Sequence, residues 1–210
     1  SEKVRRTSAK VIECGKANKI KELVCYWENI ASKYITPLIE GIMLCQYSFD
    51  QYKSPEKLQK DKPTSLVQLT FIVSQEQDIS YLEKQCYQTV TICNTVSMIR
   101  SLICSPANEL TPQSFADFAQ DICQKTQIKT YILNKKSLEE KGLNSILAVG
   151  KGSKNEPLLL VLEYNISSET AKPLAFIGKG VTFDTGGICL KPRDDMQDMR
   201  YDMSGAGVVL

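Results

Sequence analysis

Aspartates and lysines lie close together in a glycine-rich segment between positions 176 and 207 of the 210-residue sequence. The carboxylates of Asp184 and Asp202 are candidate oxygen ligands for a divalent cation. Lys179 and Lys191 lie beside them in the sequence. Six glycines in the same segment predict tight turns and close backbone approach. The segment therefore carries the residue types of a metal or ligand site.

The residue types alone leave two other interpretations open. One is a glycine-rich loop with solvated charges on either side, which the spacing also fits. The other is a phosphate-binding loop, which is less well supported. The pattern GxxxxGK[ST] is absent, and the pair Gly178 and Gly180 is not followed by a glycine three residues later.

Composition excludes several other classes of site and partner. The sequence has no histidine, which rules out Ser-His-Asp and Cys-His nucleophiles. None of the eight cysteines forms a CxxC pair, so a zinc ribbon is excluded. The net charge of +2 indicates no nucleic acid or anionic membrane as a partner. No apolar stretch approaches the roughly 20 residues of a membrane span, so we expect a cytoplasmic protein.

Strands and helices that must position the segment can be read from hydrophobic periodicity. Apolar residues recur every three or four positions over residues 78–104, which predicts one long helix that joins two domains. Strands are predicted at 66–73, 128–133, 158–164 and 174–177, helices at 112–127 and 137–141, and a lysine-rich loop at 54–64. This alternation predicts an α/β fold with a largely parallel sheet. The glycine-rich segment would then begin at a strand end, where such sheets bind ligands.

Longer blocks of sequence resemble the leucyl aminopeptidase (cytosol aminopeptidase) family of two-metal exopeptidases. The resemblance is specific from about residue 100 onward. Its blocks are Pro106–Pro112, Ala148–Ser153, Gly178–Gly187, Leu190–Pro192 and Met199–Met203. Two mild departures are Ser204, where the family usually has glycine, and Gly207, where it usually has alanine. Both residues are small, so close packing should be kept.

The resemblance implies a role for five residues. Lys179 and Asp202 would bind one metal ion, with the lysine amine neutral, and Asp184 would lie between two ions. The positive charge of two adjacent dications would lower the pKa of the lysine. Lys191 would stay charged and stabilise the oxyanion that forms on the scissile carbonyl. Met199 would line the apolar pocket for the first side chain of the substrate.

The same resemblance implies a fold, cofactors and partners for the whole protein. The fold would be α/β, with a partial N-terminal α/β (macro-like) accessory domain over residues 1–104. Its helix at 78–104 would lead into the first part of a mixed-sheet α/β catalytic domain at 105–210. The protein would be a homohexamer that releases N-terminal leucine and similar residues from peptides. Each subunit would use two divalent ions, Zn²⁺, Mn²⁺ or Mg²⁺.

The family pattern continues with a segment N-T-D-A-E-G-R that this sequence does not contain. That segment would supply an aspartate and a glutamate as further metal ligands and an arginine near the substrate. We therefore expect a fragment truncated at both ends, inactive on its own, from an active peptidase. The alternative is a catalytically silent relative that serves as a structural or assembly subunit. An intact D-x-E-G-R segment in the full protein would distinguish the two.

Overall fold

The computed structural model describes residues 1–27, 31–61, 66–73, 78–164 and 172–210. The chain forms two compact units, Ser1–Met98 and Ile99–Leu210. The predicted boundary at residue 104 stays a proposal, because compactness alone does not establish a domain. Each unit mixes helices with a two-stranded sheet, and the α/β fold class predicted from the sequence is confirmed.

The first unit contains a parallel β–α–β arrangement. Its helices and strands are α1 (Glu2–Ala17), β1 (Glu22–Trp27), a short 3₁₀ helix (Ser32–Tyr34), α2 (Ile35–Leu44), α3 (Pro55–Asp61), β2 (Gln68–Val73) and α4 (Ile79–Cys104). Strands β1 and β2 pair in parallel, from Glu22 opposite Gln68 to Trp27 opposite Val73. Helix α4, 26 residues long, begins in this unit and matches the predicted 78–104 helix within a residue.

The core of the first unit lies on one face of this sheet. Trp27, Ile35, Ile39 and Leu82 form a buried cluster from β1, α2 and α4. The Trp27 ring meets Phe71 of β2 edge to face, with ring centroids 5.8 Å apart. Alternation along the strands produces this packing, because every second side chain of a strand points to the same face.

Helices α1 and α2 of the first unit approach each other closely at a glycine. A Cβ atom on Gly41 would lie 2.1 Å from both the Arg5 carbonyl oxygen and the Ser8 Oγ. Beside this contact, the Arg5 Nε and Nη2 donate to Glu40 Oε2 at 2.9 and 2.6 Å. The lack of a side chain at Gly41 thus allows the two helices to approach closely, and the Arg5–Glu40 ion pair stabilises their contact.

The second unit is built on an antiparallel strand pair. Its elements are α5 (Pro112–Cys123), β3 (Ile128–Leu133), α6 (Lys135–Glu140), α7 (Asn144–Gly150), β4 (Leu159–Tyr164), a 3₁₀ helix (Met196–Met203) and α8 (Ser204–Val209). Thr111 opens α5 with a capping box, in which its Oγ1 accepts from the Ser114 N–H at 3.2 Å. Leu138 of α6 is fully buried.

The antiparallel pairing corrects the prediction of a largely parallel sheet. Strands β3 and β4 pair from Ile128 opposite Tyr164 to Leu133 opposite Leu159. Two short helices, α6 and α7, lie between β3 and β4 in the sequence. A helical connection between two strands therefore does not require them to pair in parallel. Among the described residues, the first unit thus has one parallel pair of strands and the second unit one antiparallel pair.

Three local predictions are also wrong. The predicted strand at 174–177 is irregular, and Leu174, Phe176 and Ile177 are exposed, because no neighbouring strand among the described residues pairs with them. The lysine-rich segment expected as a loop contains α3, whose first turn is stabilised by a 3.3 Å bond from the Lys57 N–H to the Ser54 Oγ. Residues 62–64 of that loop lie outside the described residues.

The third local error concerns α7, a helix of seven residues that the sequence did not predict. Its sequence, NSILAVG, has neither an obvious cap nor a clear amphipathic period, and the structure shows no side-chain cap bond.

Across the described chain, no helix combines the length and the apolar character that crossing a membrane requires.

Candidate active site

The loop from Asp184 to Lys191 is closed by its own hydrogen bonds. The Gly186 N–H donates to Asp184 Oδ1 at 2.8 Å, and the Lys191 N–H donates to the Thr185 carbonyl at 2.9 Å. Gly186 has φ +88°, and a Cβ there would lie 2.3 Å from the Cys189 carbonyl oxygen. Only glycine fits this turn. The turn brings the two ends of the loop together.

Lys191 and Asp184 form an ion pair across this closed loop. Lys191 Nζ lies 2.8 Å from Asp184 Oδ2, and each side chain is about one-third exposed. The same ammonium donates to Met199 Sδ at 3.0 Å. Met199 is half-buried on the 3₁₀ helix that follows the loop. The structure therefore brings three of the five predicted site residues into direct contact.

Lys179 and Asp202 form the other half of the cluster. Lys179 Nζ lies 2.7 Å from Asp202 Oδ2, with the lysine side chain 57% and the aspartate side chain 23% exposed. The Oδ2 atom itself is enclosed, and among the described residues it has no partner with the angles of a hydrogen bond. A buried carboxylate oxygen held only by an ion pair has capacity for a further ligand.

Backbone contact with α8 fixes the segment that carries Lys179. The Ala206 N–H donates to the Lys179 carbonyl at 2.8 Å. A Cβ on Gly178 would lie 2.3 Å from the Gly205 carbonyl oxygen, and one on Gly205 would lie 2.9 Å from the Lys179 nitrogen. The two chain segments touch backbone to backbone, which requires glycine on both sides. This contact places Lys179 beside Asp202, because Asp202 lies only two residues before the start of α8.

Electrostatic interactions link the two ion pairs. The Asp202 carboxylate, and more weakly that of Asp184, raises the pKa of the Lys179 ammonium. The Lys191 ammonium and the Gly186 N–H lower the pKa of Asp184, with a smaller contribution from the Lys179 charge. The Lys179 and Asp184 charges therefore interact weakly, and this interaction links the two ion pairs.

The donor set is unusual for a metal centre but chemically suitable. Within the described ranges no group of three or more His, Cys, Asp and Glu residues could hold an ion. The cluster instead offers two carboxylates and, once its proton is lost, the Lys179 amine. The enclosed Asp202 Oδ2, whose close partner is the cationic Lys179 Nζ at 2.7 Å, is the observation that fits a cation. Oxygen and nitrogen donors suit Mn²⁺, Mg²⁺ and Zn²⁺.

Several features of the site were not anticipated from the sequence. The pairing of Lys191 with Asp184 and the contact of Lys191 with the Met199 sulfur depend on tertiary structure, whereas the family resemblance already implied that Lys179 lies near Asp202. The supporting backbone of Gly205 and Ala206 was also missed as a contact of Lys179. The glycines themselves were the available signal, since they mark close backbone approach.

Comparison with known proteins shows which family the chain resembles. The family model described as "Cytosol aminopeptidase family, catalytic domain" matches residues 97–210. The chain is 34% identical over 193 residues to a probable cytosol aminopeptidase of Geotalea uraniireducens, a match that covers 91% of this chain and 38% of that protein. A probable cytosol aminopeptidase of Wolbachia pipientis wMel is 35% identical over 197 residues, covering 90% and 39%.

Solved structures give the same result for the fold. The bottromycin maturation enzyme BotP in complex with Mn matches with a TM-score of 0.75 and 25% identity, over 98% of this chain and 42% of that one. A second structure of BotP matches with a TM-score of 0.73 and the same identity. The likeness extends through both compact units of the chain.

Fold and site together define an α/β protein whose second unit carries a lysine and carboxylate cluster on a glycine-rich loop. The chain belongs to the cytosol aminopeptidase family. It spans less than two-fifths of the length of the curated relatives named above.

Proposed function

We propose that the full-length protein is a metal-dependent aminopeptidase that releases N-terminal residues, preferably leucine and similar ones, from peptides. The observation that carries this proposal is the convergence of Lys179, Asp184, Lys191 and Asp202 in two linked ion pairs. A solvated surface loop has no physical reason to enclose a carboxylate oxygen of Asp202 beside the Lys179 ammonium. Family membership of residues 97–210 supports the same assignment.

Three residues of this chain would hold the metal ions. Asp184 and Asp202 supply carboxylate oxygens, and Lys179 supplies an amine nitrogen after losing its proton. Two divalent ions, Zn²⁺, Mn²⁺ or Mg²⁺, would activate a water for attack on the first peptide carbonyl and anchor the free α-amino group of the substrate. The requirement for a free amine accounts for cleavage from the N-terminus only.

Lys191 and Met199 would act on the substrate itself. The Lys191 ammonium donates a hydrogen bond to the carbonyl oxygen as negative charge develops there, and so stabilises the transition state more than the ground state. The ammonium lies 2.8 Å from Asp184 Oδ2. Met199 is half-buried and flexible, which suits the wall of a pocket for a leucine-sized side chain.

The remaining proposals concern the whole protein. We propose residues 1–104 as an accessory domain, 105–210 as the first part of the catalytic domain, a homohexamer and a cytoplasmic location. Residues 1–210 alone would be inactive, because two carboxylates and one amine leave a pair of ions short of ligands. A 210-residue chain that released leucine from leucyl anilide without a partner would contradict this.

Leucyl anilide turnover by the full-length protein tests the activity. We expect turnover with added Mn²⁺ or Zn²⁺, none with a chelator, and a kcat about 100-fold lower for Lys191→Ala, as for loss of other oxyanion donors. Lys154→Ala is the matched control, since Lys154 is exposed and remote in sequence from the cluster. A folded protein without turnover under any metal condition would favour the silent structural relative instead.

A further inference from the structure

The Lys191 ammonium makes two contacts of different kinds. It lies 2.8 Å from a charged oxygen of Asp184 and donates to the neutral sulfur of Met199 at 3.0 Å. We propose that Met199 is a positioning residue, whose thioether holds the Lys191 ammonium in place for the reaction. This role is separate from lining a substrate pocket, and it rests on the proposed aminopeptidase function.

A lysine in this position needs an anchor. Its four-carbon stem is flexible, and its compact ammonium has three rotatable donors. An ammonium with a single acceptor can swing about that acceptor, whereas two acceptors on different segments fix its position. Asp184 lies at the start of the closed loop and Met199 on the following 3₁₀ helix, so the two acceptors of Lys191 lie on different segments of the chain.

The sulfur has an advantage over a second carboxylate. Cations at the proposed metal site would compete with Lys191 for the charge of Asp184. A thioether is a weak but real hydrogen-bond acceptor, and it is a poor ligand for hard cations such as Mg²⁺ and Mn²⁺. Asp184 has two carboxylate oxygens and would share its charge between Lys191 and a metal ion, whereas Met199 would stay available to Lys191 alone. Two acceptors also leave one of the three ammonium hydrogens for the substrate oxygen.

Helix geometry explains why Met199 can reach this place. In a 3₁₀ helix, residues three apart lie on the same side. Met199 and Asp202 are three apart on the 3₁₀ helix Met196–Met203, and both contact a lysine of the cluster. The 3₁₀ helix thus contacts Lys191 through Met199 and Lys179 through Asp202. The position of Lys191 therefore depends on the same helix that carries Asp202.

Steady-state kinetics of the metal-loaded full-length protein separates positioning from pocket lining. Met199→Leu keeps the size and apolar character of the side chain but removes the acceptor. With both leucyl and alanyl anilides we expect kcat to fall about tenfold, the loss of roughly one hydrogen bond. KM and the leucine-to-alanine preference should change little. Met199→Gln, which restores an acceptor, should recover most of kcat.

The control is Met196→Leu, the same change three residues earlier on the same helix, which should leave kcat near wild type. A changed leucine-to-alanine preference in Met199→Leu, with unaltered kcat on the alanyl substrate, would mean that Met199 is only a pocket wall. It would overturn the proposal. A Gln variant no better than the Leu variant would overturn it too.

A crystal structure of Met199→Leu provides a readout that does not depend on activity. We expect the Lys191 ammonium to be displaced or spread over several rotamers, while the wild type keeps it beside the sulfur. An ammonium that stays in place without the sulfur contradicts the proposal. If the wild type is not an aminopeptidase, its lack of turnover shows that separately, and the crystallographic comparison still decides the role of Met199.

Discussion

Lys179 Nζ and Asp202 Oδ2 lie 2.7 Å apart, so in the metal-free chain the lysine is a paired ammonium. The Asp202 carboxylate raises the pKa of Lys179. A metal ion that binds this amine must therefore displace a proton that is held more firmly than usual. Binding at this site couples metal uptake to proton release.

We predict that the affinity of the full-length protein for Mn²⁺ or Zn²⁺ rises with pH, by about tenfold per unit for each proton displaced. Because Lys179 keeps its proton above its ordinary pKa, this rise should continue through neutral and mildly alkaline pH. Calorimetry in two buffers of different ionisation enthalpy counts the protons released. Lys179→Ala should release one fewer than wild type, and Lys154→Ala should release the same number. Equal counts for all three proteins would exclude Lys179 as a ligand.

The Asp184–Lys191 pair predicts a second, different pH dependence. The folded chain lowers the pKa of Asp184, chiefly through Lys191 and the Gly186 N–H. A carboxyl that binds its proton less readily when folded stabilises the fold fully above its unfolded pKa. That stability is lost as pH falls through the lower, folded value. The loss should therefore occur in the acid range, below about pH 4.

Urea unfolding in the absence of metal, from about pH 7 down to about pH 2, measures this effect. We expect Asp184→Asn to be less stable than wild type at neutral pH and to approach it at the acid end. Asp121→Asn, at an exposed position of α5, is the matched control and should follow the wild-type curve. A constant difference between Asp184→Asn and wild type at every pH would show that the carboxylate charge is not the cause.

Elements with strong local signals were predicted well from the sequence. Helix α4 carries apolar residues every three or four positions over 26 residues, and β3 is a run of strand-forming residues that the structure bounds as predicted. Helix α3 was missed because its lysines suggested a loop, although Ser54 and Pro55 form a recognisable helix start. The strand at 174–177 failed because a strand also needs a partner, which a local pattern cannot show.

The site residues that the family resemblance selected remain a prediction. The resemblance placed Lys179 and Asp202 at one metal ion, and the structure pairs these two; it also pairs Asp184 with Lys191, which the resemblance did not imply. Their metal and catalytic roles remain proposals. Which lysine pairs with which aspartate depends on the closed loop and on the contact with α8. These are non-local effects, and the spacing of residues along the chain does not encode them.

Close packing of α1 on α2 predicts a strong effect of one methyl group. A Cβ at Gly41 would lie 2.1 Å from the Arg5 carbonyl oxygen, which cannot move without displacing the helix. We expect Gly41→Ala to lower the free energy of unfolding by about 1–3 kcal/mol, as overpacking does elsewhere. Gly15→Ala is the control, because its Cβ meets only Ile20 at 3.8 Å and alanine favours a helix. Urea midpoints no lower for Gly41→Ala than for Gly15→Ala would refute the close contact.

The backbone contact between Gly178 and Gly205 predicts that a single methyl group on Gly178, next to Lys179 in the sequence, disables the site. A Cβ on Gly178 would lie 2.3 Å from the Gly205 carbonyl oxygen and 2.7 Å from the Ala206 Cα, all backbone atoms. Gly178→Ala must therefore push the two segments apart and strain the 2.8 Å bond from the Ala206 N–H to the Lys179 carbonyl. Lys179 would then lose its place beside Asp202, although no ligand has been changed.

For Gly178→Ala we expect divalent-cation affinity and kcat each to fall at least about tenfold, since a misplacement of about 1 Å can cost far more than that in rate. The matched control is Gly152→Ala, where an added Cβ meets nothing within 4 Å. Both variants should still unfold cooperatively, with Gly178→Ala destabilised by about 1–3 kcal/mol. A Gly178→Ala protein that is destabilised but binds cations as tightly as wild type would contradict the prediction, because the contact would then matter for stability and not for cation binding. In that case Lys179 would not need this backbone contact to meet Asp202.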